Sequence, residues 1–458
     1  MRGKSRLGHD IAVRSVKLLN IILICIPLAY IWLTYYSKSI SEYEFSKEGT
    51  ILFVASYAVL YCVFIRIYDA FKISHVSASE MFVDQIIALF LTDIIAYLFL
   101  FAILRSLPEP FRFIVLFILQ VITSALWCFI VSRLYFKVFK KRKAVIIYDS
   151  EHNLNEIAKH KQFQKSFELV GCYDIDETRL FADQQRIAWL IDKIKDVEVV
   201  FVMEIHSHER NALIKYCVEN GISCYNEPKI GDILLSSSRQ YNMYNLSVAL
   251  VERYNPNPEY IFIKRVFDII LAGLSLIILS PVFAITALAI KIGDGGPVIY
   301  KQKRLTKDGR IFNILKFRSM RLDAEKYTGA VISSGASDPR VTKIGKVIRK
   351  YRIDELPQLL NIIKGDMSIV GPRPERPEIA EKYAEKLPEF GLRLQVRAGL
   401  TGYAQVYGRY DSDPYDKLCM DLHYISSASY SEDLRIMLVT IKRILFKEPE
   451  GNREEDDE

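Results

Sequence analysis

Two adjacent carboxylates, Asp354 and Glu355, stand in the run Arg352-Ile353-Asp354-Glu355-Leu356-Pro357-Gln358, and cations crowd the same region: Lys316, Arg318, Arg340, Lys346, Arg349, Lys350, Arg352 and Arg373. Cations in that number hold phosphates, and a carboxylate among them attacks phosphorus or binds a metal, so the pattern is that of phosphoryl chemistry. The same composition also describes a solvated face of a basic helix, with acids paired to bases one turn away. What surrounds the pair decides between the two.

The surroundings begin with composition. Of 458 residues, 50% are hydrophobic, 12% aromatic and 25% charged, and the mean hydropathy is +0.12. Such a chain mixes segments buried in lipid with soluble ones. The net charge is +7, yet the terminal Glu454, Glu455, Asp456, Asp457 and Glu458 carry five negatives, which leaves +12 for the remainder. That balance favours anionic partners, either phospholipid headgroups or phosphorylated substrates. Nucleic acid is not expected, because neither zinc-finger spacing nor an RNA-binding aromatic motif occurs. The seven cysteines include no Cys-x-x-Cys pair, so neither a disulfide framework nor a zinc site is indicated, and a reduced, cytosolic setting fits.

Apolar stretches from Val16 to Tyr36, Ile51 to Tyr68, Phe82 to Leu104 and Phe113 to Tyr135 each approach the ~20 residues that a membrane-crossing helix needs. Residues 1–142 therefore read as a four-helix transmembrane region. Arg2, Lys4, Arg6, Arg14 and Lys17 precede the first span, and Arg133, Lys137, Lys140, Lys141, Arg142 and Lys143 follow the fourth, which puts both ends on the cytoplasmic side. The first external loop balances Lys38 and Lys47 against Glu42, Glu44 and Glu48. A fifth apolar run, 266–290, has Lys264 and Arg265 before it and Lys291, Lys301, Lys303 and Arg304 after it. Both of its flanks prefer the cytoplasm, and Ser280-Pro281 at its centre supplies a break. A re-entrant helix-break-helix hairpin satisfies both observations, and a proline-kinked span is the alternative.

Residues 143–257 alternate strands with helices: Ala144 to Tyr148, Phe167 to Tyr173, Val197 to Met203 and Ser223 to Tyr225 read as strands, and Glu209 to Asn220 as a helix. That is a parallel α/β layout. A dinucleotide site needs a glycine-rich turn after the first strand, and here the turn is Asp149-Ser150-Glu151-His152-Asn153-Leu154. With two acids and no glycine, it suits a Rossmann-like structural or regulatory module and not a cofactor site.

After residue 258 come Gly293-Asp294-Gly295-Gly296-Pro297, Lys316-Phe317-Arg318-Ser319-Met320, the acidic pair and Gly371-Pro372-Arg373-Pro374-Glu375, in that order. In these blocks, residues 258–448 resemble the bacterial sugar transferase family, the monotopic polyprenyl-phosphate phosphoglycosyl transferases. The whole layout is similar to the long members that initiate exopolysaccharide, capsule or O-antigen assembly. The fold class implied is a mixed α and α/β membrane protein: a transmembrane four-helix bundle, a Rossmann-like domain, and a mostly helical catalytic domain carrying the re-entrant hairpin, with an acidic tail at 449–458.

The resemblance implies an enzyme of the bacterial cytoplasmic membrane that transfers a sugar-1-phosphate from a UDP-sugar to undecaprenyl phosphate and releases UMP. Asp354 would be the nucleophile, and Glu355 would bind Mg²⁺ together with Asp354 or orient it. Arg373, fixed between two prolines, would clamp a phosphate with its fork. Lys316 and Arg318 would hold the diphosphate or the lipid phosphate, or serve as headgroup anchors. Arg340, Gln358, Thr401, Gln405 and Asp421 are further substrate contacts that the resemblance implies, the last followed by Tyr424 in a shared block. Lys264 and Arg265 would help to place the hairpin and the polyprenyl phosphate, with Lys264 and Asp268 spaced to pair and the arginine meeting headgroups. Position 398 is alanine where many members have proline. Leu434, Met437, Leu438, Ile441, Ile444 and Leu445 recur at helical spacing, as an interfacial or a core-facing helix would require. A homodimer is compatible with this layout. The competing reading is a membrane scaffold or regulatory binding protein of a polysaccharide assembly complex.

Overall fold

A computed structural model of the chain describes residues 2–36, 47–74, 76–149, 161–176, 183–243, 245–321, 340–408 and 413–446. The loop at 37–46, the turn at 150–154, Asp338-Pro339 and the tail at 449–458 lie outside the described residues. The chain divides into two compact units, Met1–Glu227 and Pro228–Glu458.

The first unit opens with α1 (Arg2–Ile31), α2 (Lys47–Ile67), α3 (Ala78–Leu104) and α4 (Pro110–Val138). Four spans within this region, Ile11–Tyr36, Glu48–Ile67, Ala78–Leu104 and Pro110–Val138, are long and apolar enough to cross a membrane. Ser77 and Glu80 cap α3 reciprocally, satisfying amides that a helix start leaves without partners. Large apolar side chains such as Ile22, Phe90, Ile118 and Phe129 face outward, while polar ones turn inward and bond to one another. Tyr57 donates to Asp93 Oδ1 at 2.6 Å and Gln120 Nε2 donates to Tyr57 Oη at 2.9 Å. Tyr61 donates to Asn20 Oδ1 at 3.1 Å and Ser124 to Gln85 Oε1 at 2.5 Å. This inside-out arrangement is what an apolar solvent demands, because polar groups there find partners only in one another.

Next come β1 (Arg142–Tyr148), α5 (Lys161–Ser166), β2 (Phe167–Asp174), α6 (Asp183–Ile194), β3 (Val199–Met203), α7 (Ser207–Glu219) and β4 (Ser223–Asn226). The strands form one sheet in the order β2-β1-β3-β4, parallel throughout. Strands buried on both faces read as unbroken apolar runs. Ala144 to Ile147 and Val199 to Val200 are of this kind, each of them fully buried.

The second unit starts before the 258 boundary read from the sequence: α8 (Ile230–Ser236) packs Ile233 into a core with Val370, Phe390, Leu418 and Leu422. The hairpin β5 (Arg239–Met243) and β6 (Leu246–Leu250) precedes α9 (Pro258–Ile278) and α10 (Ser280–Asp294). The last two meet at 62°. Pro281 lies in the first turn of α10, where its missing N–H costs nothing, and the break between the two helices serves a bent span and a re-entrant pair alike.

Two small sheets carry the remainder. The antiparallel pair is β7 (Ile299–Leu305) and β8 (Ile311–Phe317). Then come α11 (Lys343–Lys350), a 3₁₀ turn (Ile353–Glu355), α12 (Gln358–Lys364), β9 (Met367–Val370), α13 (Pro377–Lys386), a second 3₁₀ segment (Pro388–Gln395) and β10 (Ala398–Thr401). Strand β10 pairs with β9 in parallel. Helices α14 (Tyr403–Tyr407), α15 (Pro414–Ser427) and α16 (Tyr430–Leu445) complete the unit. Along α16, Ile436 and Leu438 are buried, as a core-facing helix requires, while Leu434, Ile441 and Ile444 stay exposed.

Candidate functional site

The acidic pair does not sit on a continuous helix, as a solvated helix face would require. Helix α11 ends at Lys350, and Arg352 takes φ 55°, so the chain turns sharply before the 3₁₀ turn that holds Asp354 and Glu355. The left-handed region costs an L-residue roughly 1–2 kcal/mol, and such strain is retained where a side chain must be aimed. Ile353 and Leu356 on this turn pack beside the cluster of Ile290, Phe317 and Ile348. The carboxylates are thereby carried on the opposite side of an anchored turn.

Strand alternation puts Lys316 on the face opposite Phe317, which is buried. Its Nζ reaches Glu355 Oε1 at 3.2 Å, and Nη2 of Arg373 reaches the same oxygen at 2.9 Å. Burial works to raise the Glu355 pKa, but Arg373 and Lys316 outweigh it and hold the carboxyl well below the usual range. Asp354 moves the other way. Burial lifts its pKa above the ordinary value, Glu355 adds to the rise, and Lys316, Arg349 and Arg373 oppose it. Burial likewise depresses Lys316, with Glu355 pulling against it. Among the described residues no side chain hydrogen-bonds to Asp354. The turn thus offers one carboxylate locked between two cations and a neighbour that, among the described residues, has no hydrogen-bond donor and stands in their field.

Arg318, just past the end of β8, is 6% exposed. A Cβ at Gly296 would come within 1.9 Å of its Nη1, so a larger residue there would make this guanidinium move. Arg340 is placed by its carbonyl, which accepts from the Arg321 amide at 3.0 Å. Gln358 is buried at the start of α12.

Other expectations meet different partners. Lys264 does not pair with Asp268; it binds Asp433 at 2.8 Å. Asp268, 4% exposed, instead accepts from Ser368 Oγ at 2.8 Å and the Ile369 amide at 3.0 Å, fixing α9 to β9. Arg265 donates to the carbonyls of Ile362 at 2.6 Å and Ile363 at 2.8 Å. It satisfies C-terminal carbonyls that α12 leaves without internal partners. Thr401 Oγ1 lies 2.7 Å from Thr440 Oγ1, and Gln405 Nε2 donates to the Leu400 carbonyl at 3.3 Å. Asp421, 1% exposed, faces Arg393 at 2.7 Å, and Tyr424 donates to Asp433 Oδ1 at 2.7 Å. Burial raises the Asp421 pKa to about 6 against the pull of Arg393. These four residues bond to partners within the second unit. Ala398 uses an amide that proline lacks, donating to Thr306 Oγ1 at 3.2 Å.

The acidic cluster of the first unit, Asp149, Asp174 and Asp176, brings its carboxylate oxygens within 4.8 Å of one another. These residues sit at and just beyond the ends of β1 and β2, and no motif in the sequence announces the grouping. Arg393 and Arg304 also escape the sequence reading, because each acts on backbone about 20 or more residues away and carries no local pattern.

Residues 259–447 match the family described as bacterial sugar transferase. Over 193 residues the chain is 43% identical to the UDP-N-acetylgalactosamine-undecaprenyl-phosphate N-acetylgalactosaminephosphotransferase of Aeromonas hydrophila, covering 42% of this chain and 45% of that protein. It is 40% identical over 185 residues to the UDP-glucose:undecaprenyl-phosphate glucose-1-phosphate transferase of Escherichia coli, 39% of each. It is also 40% identical over 194 residues to the exopolysaccharide production protein ExoY of Sinorhizobium fredii, covering 40% of this chain and 84% of that protein. The chain therefore spans less than half of the first two relatives and most of the third. A relative of 40% identity covered over 84% of its length, with a family match whose residues 259–447 include the acidic turn and its cations, places this chain in the bacterial sugar transferase family.

Proposed function

We propose that the chain transfers a sugar-1-phosphate from a UDP-sugar to undecaprenyl phosphate, at the cytoplasmic face of the bacterial inner membrane, as the first step of a polysaccharide. The observation that carries this reading is the acidic turn: Glu355 holds Lys316 and Arg373 in place, and Asp354 stands beside them without a hydrogen-bond partner among the described residues. The Asp354 carboxylate attacks the phosphorus that bears the sugar, a P–O bond breaks, and UMP leaves. An oxygen of the lipid phosphate then attacks the same phosphorus and frees Asp354. A carboxylate suits both steps, being ionised near neutral pH and forming an acyl phosphate reactive enough for a second transfer. Lys316 and Arg373 neutralise charge on the diphosphate as the bond breaks.

Mg²⁺ fits this donor set. Both cations meet Glu355 at Oε1, so Oε2 and the Asp354 carboxylate are the hard oxygens that would hold the ion, with substrate phosphates completing its shell. When bound, it supplies further charge neutralisation at the diphosphate. The α9–α10 pair acts as a re-entrant hairpin in this reading, with apolar residues such as Ile277, Ile278 and Ile285 exposed near its tip for the acyl layer and its two ends on one side.

A panel of UDP-sugars with undecaprenyl phosphate, read by UMP release and by radiolabel in the lipid product, tests the proposal. One donor is expected to give both signals, and Asp354→Asn to lose both. UDP in place of UMP would sink it, since UDP marks transfer of the sugar alone.

A further inference from the structure

Four consecutive carbonyls around Arg373 each receive a donor. The Pro372 carbonyl takes the Gly399 amide at 2.9 Å, and the Glu375 carbonyl takes the Leu305 amide at 2.9 Å. Between them, the Arg373 carbonyl takes Nη2 of Arg393 at 2.9 Å, and the Pro374 carbonyl takes Nη1 of Arg304 at 3.0 Å. Two prolines remove backbone donors from the segment and fix φ at both, so acceptors are the handles left for tying it down. Arginine suits the task, since its planar fork gives several donors in fixed directions.

Arg393 is itself held from behind. It is 4% exposed, lies 2.7 Å from Asp421 Oδ2 and 3.8 Å from Glu375 Oε1, and stacks its guanidinium 4.9 Å from the Phe390 ring centre. A buried cation is tolerated only with such compensation. The arrangement spends a buried ion pair on the backbone of one residue, and that residue's side chain reaches Glu355. We propose that Arg393, seconded by Arg304 and neutralised by Asp421, is a positioning residue for Arg373, fixing the backbone from which the Arg373 guanidinium reaches Glu355 and the donor diphosphate. It rests on the phosphotransfer reading above.

Arg393→Lys keeps the charge and loses the fork. A double-mutant cycle with Arg373→Lys separates positioning from general weakening of the fold, because residues that act through one another are not additive. In the wild-type background Arg393→Lys is expected to lower kcat for UMP release at least 10-fold, with the KM for undecaprenyl phosphate unchanged within 2-fold. In the Arg373→Lys background the same change is expected to cost less than 3-fold. Equal losses in both backgrounds, or an unchanged kcat in the first, would overturn the proposal. If Arg393→Lys does not fold, Arg304→Lys enters the same cycle with the same expectations. A wild-type chain inert toward every UDP-sugar would instead remove the phosphotransfer reading, and so is distinguishable from failure of this one.

Discussion

Asp354 and Glu355 are chemical twins one residue apart, and their surroundings drive them in opposite directions. Glu355 accepts Lys316 and Arg373 on one oxygen, while Asp354 is raised by burial and by Glu355 and lowered by Lys316, Arg349 and Arg373. A nucleophilic carboxylate works deprotonated, so the acid limb of kcat/KM reports its pKa in the free enzyme. Removing a group that lowers this pKa moves the limb to higher pH, and removing one that raises it moves the limb lower. Lys316→Met is therefore expected to shift the acid limb up and Glu355→Gln to shift it down, in pH profiles of UMP release. Shifts of the same sign would mean that the limb belongs to another group. Two carboxylates among many cations were legible in the sequence, since charge and order are written there. Their division of labour was not, because it depends on which oxygen each cation reaches.

At the scale of elements, the legible features were those whose signal is long or local. Runs of about twenty apolar residues announced the spans, unbroken apolar stretches announced β1 and β3, and Ser280-Pro281 announced the boundary between α9 and α10. The turn at Arg352 gave no such signal, because an arginine at φ 55° occupies a position that sequence patterns reserve for glycine or asparagine. Close approaches were equally hidden. A Cβ at Gly399 would stand 2.2 Å from the Gly371 nitrogen and 2.4 Å from the Gly371 oxygen, both backbone atoms with nowhere to move while β9 and β10 stay paired. Gly399→Ala is expected to destabilise the second unit by about 1–3 kcal/mol, as other overpacking changes do, visible as a lower thermal midpoint. Because Gly371 leads into Pro372 and Arg373, the loss of UMP release should exceed what the unfolded fraction explains. A variant that keeps both stability and rate would show that the two strands can part without disturbing Arg373.

For the whole molecule the proposed chemistry joins a lipid phosphate to a soluble nucleotide sugar, so the second unit has to work at a membrane surface from one side. The net charge of +12 outside the acidic tail draws such a protein to an anionic leaflet. Net charge and bend angle are the same whether the α9–α10 pair crosses or returns, since a bent pair with apolar faces serves either course. The flanks argue for return: Lys264 and Arg265 lie before the apolar run and Lys291, Lys301, Lys303 and Arg304 after it. A crossing would force one of these groups to the far side, against the usual bias of basic residues. With the seven native cysteines replaced, single reporters at Glu259 and at Gly295 are expected to react with a membrane-impermeant maleimide from the same, cytoplasmic side in inside-out vesicles. Both should resist it in sealed right-side-out cells. Reaction of the two from opposite sides would make the pair a kinked span, placing residues before 258 and after 295 in different compartments. The re-entrant reading would then fall, and Asp354 could share a side with its soluble donor only if the four N-terminal spans were inverted.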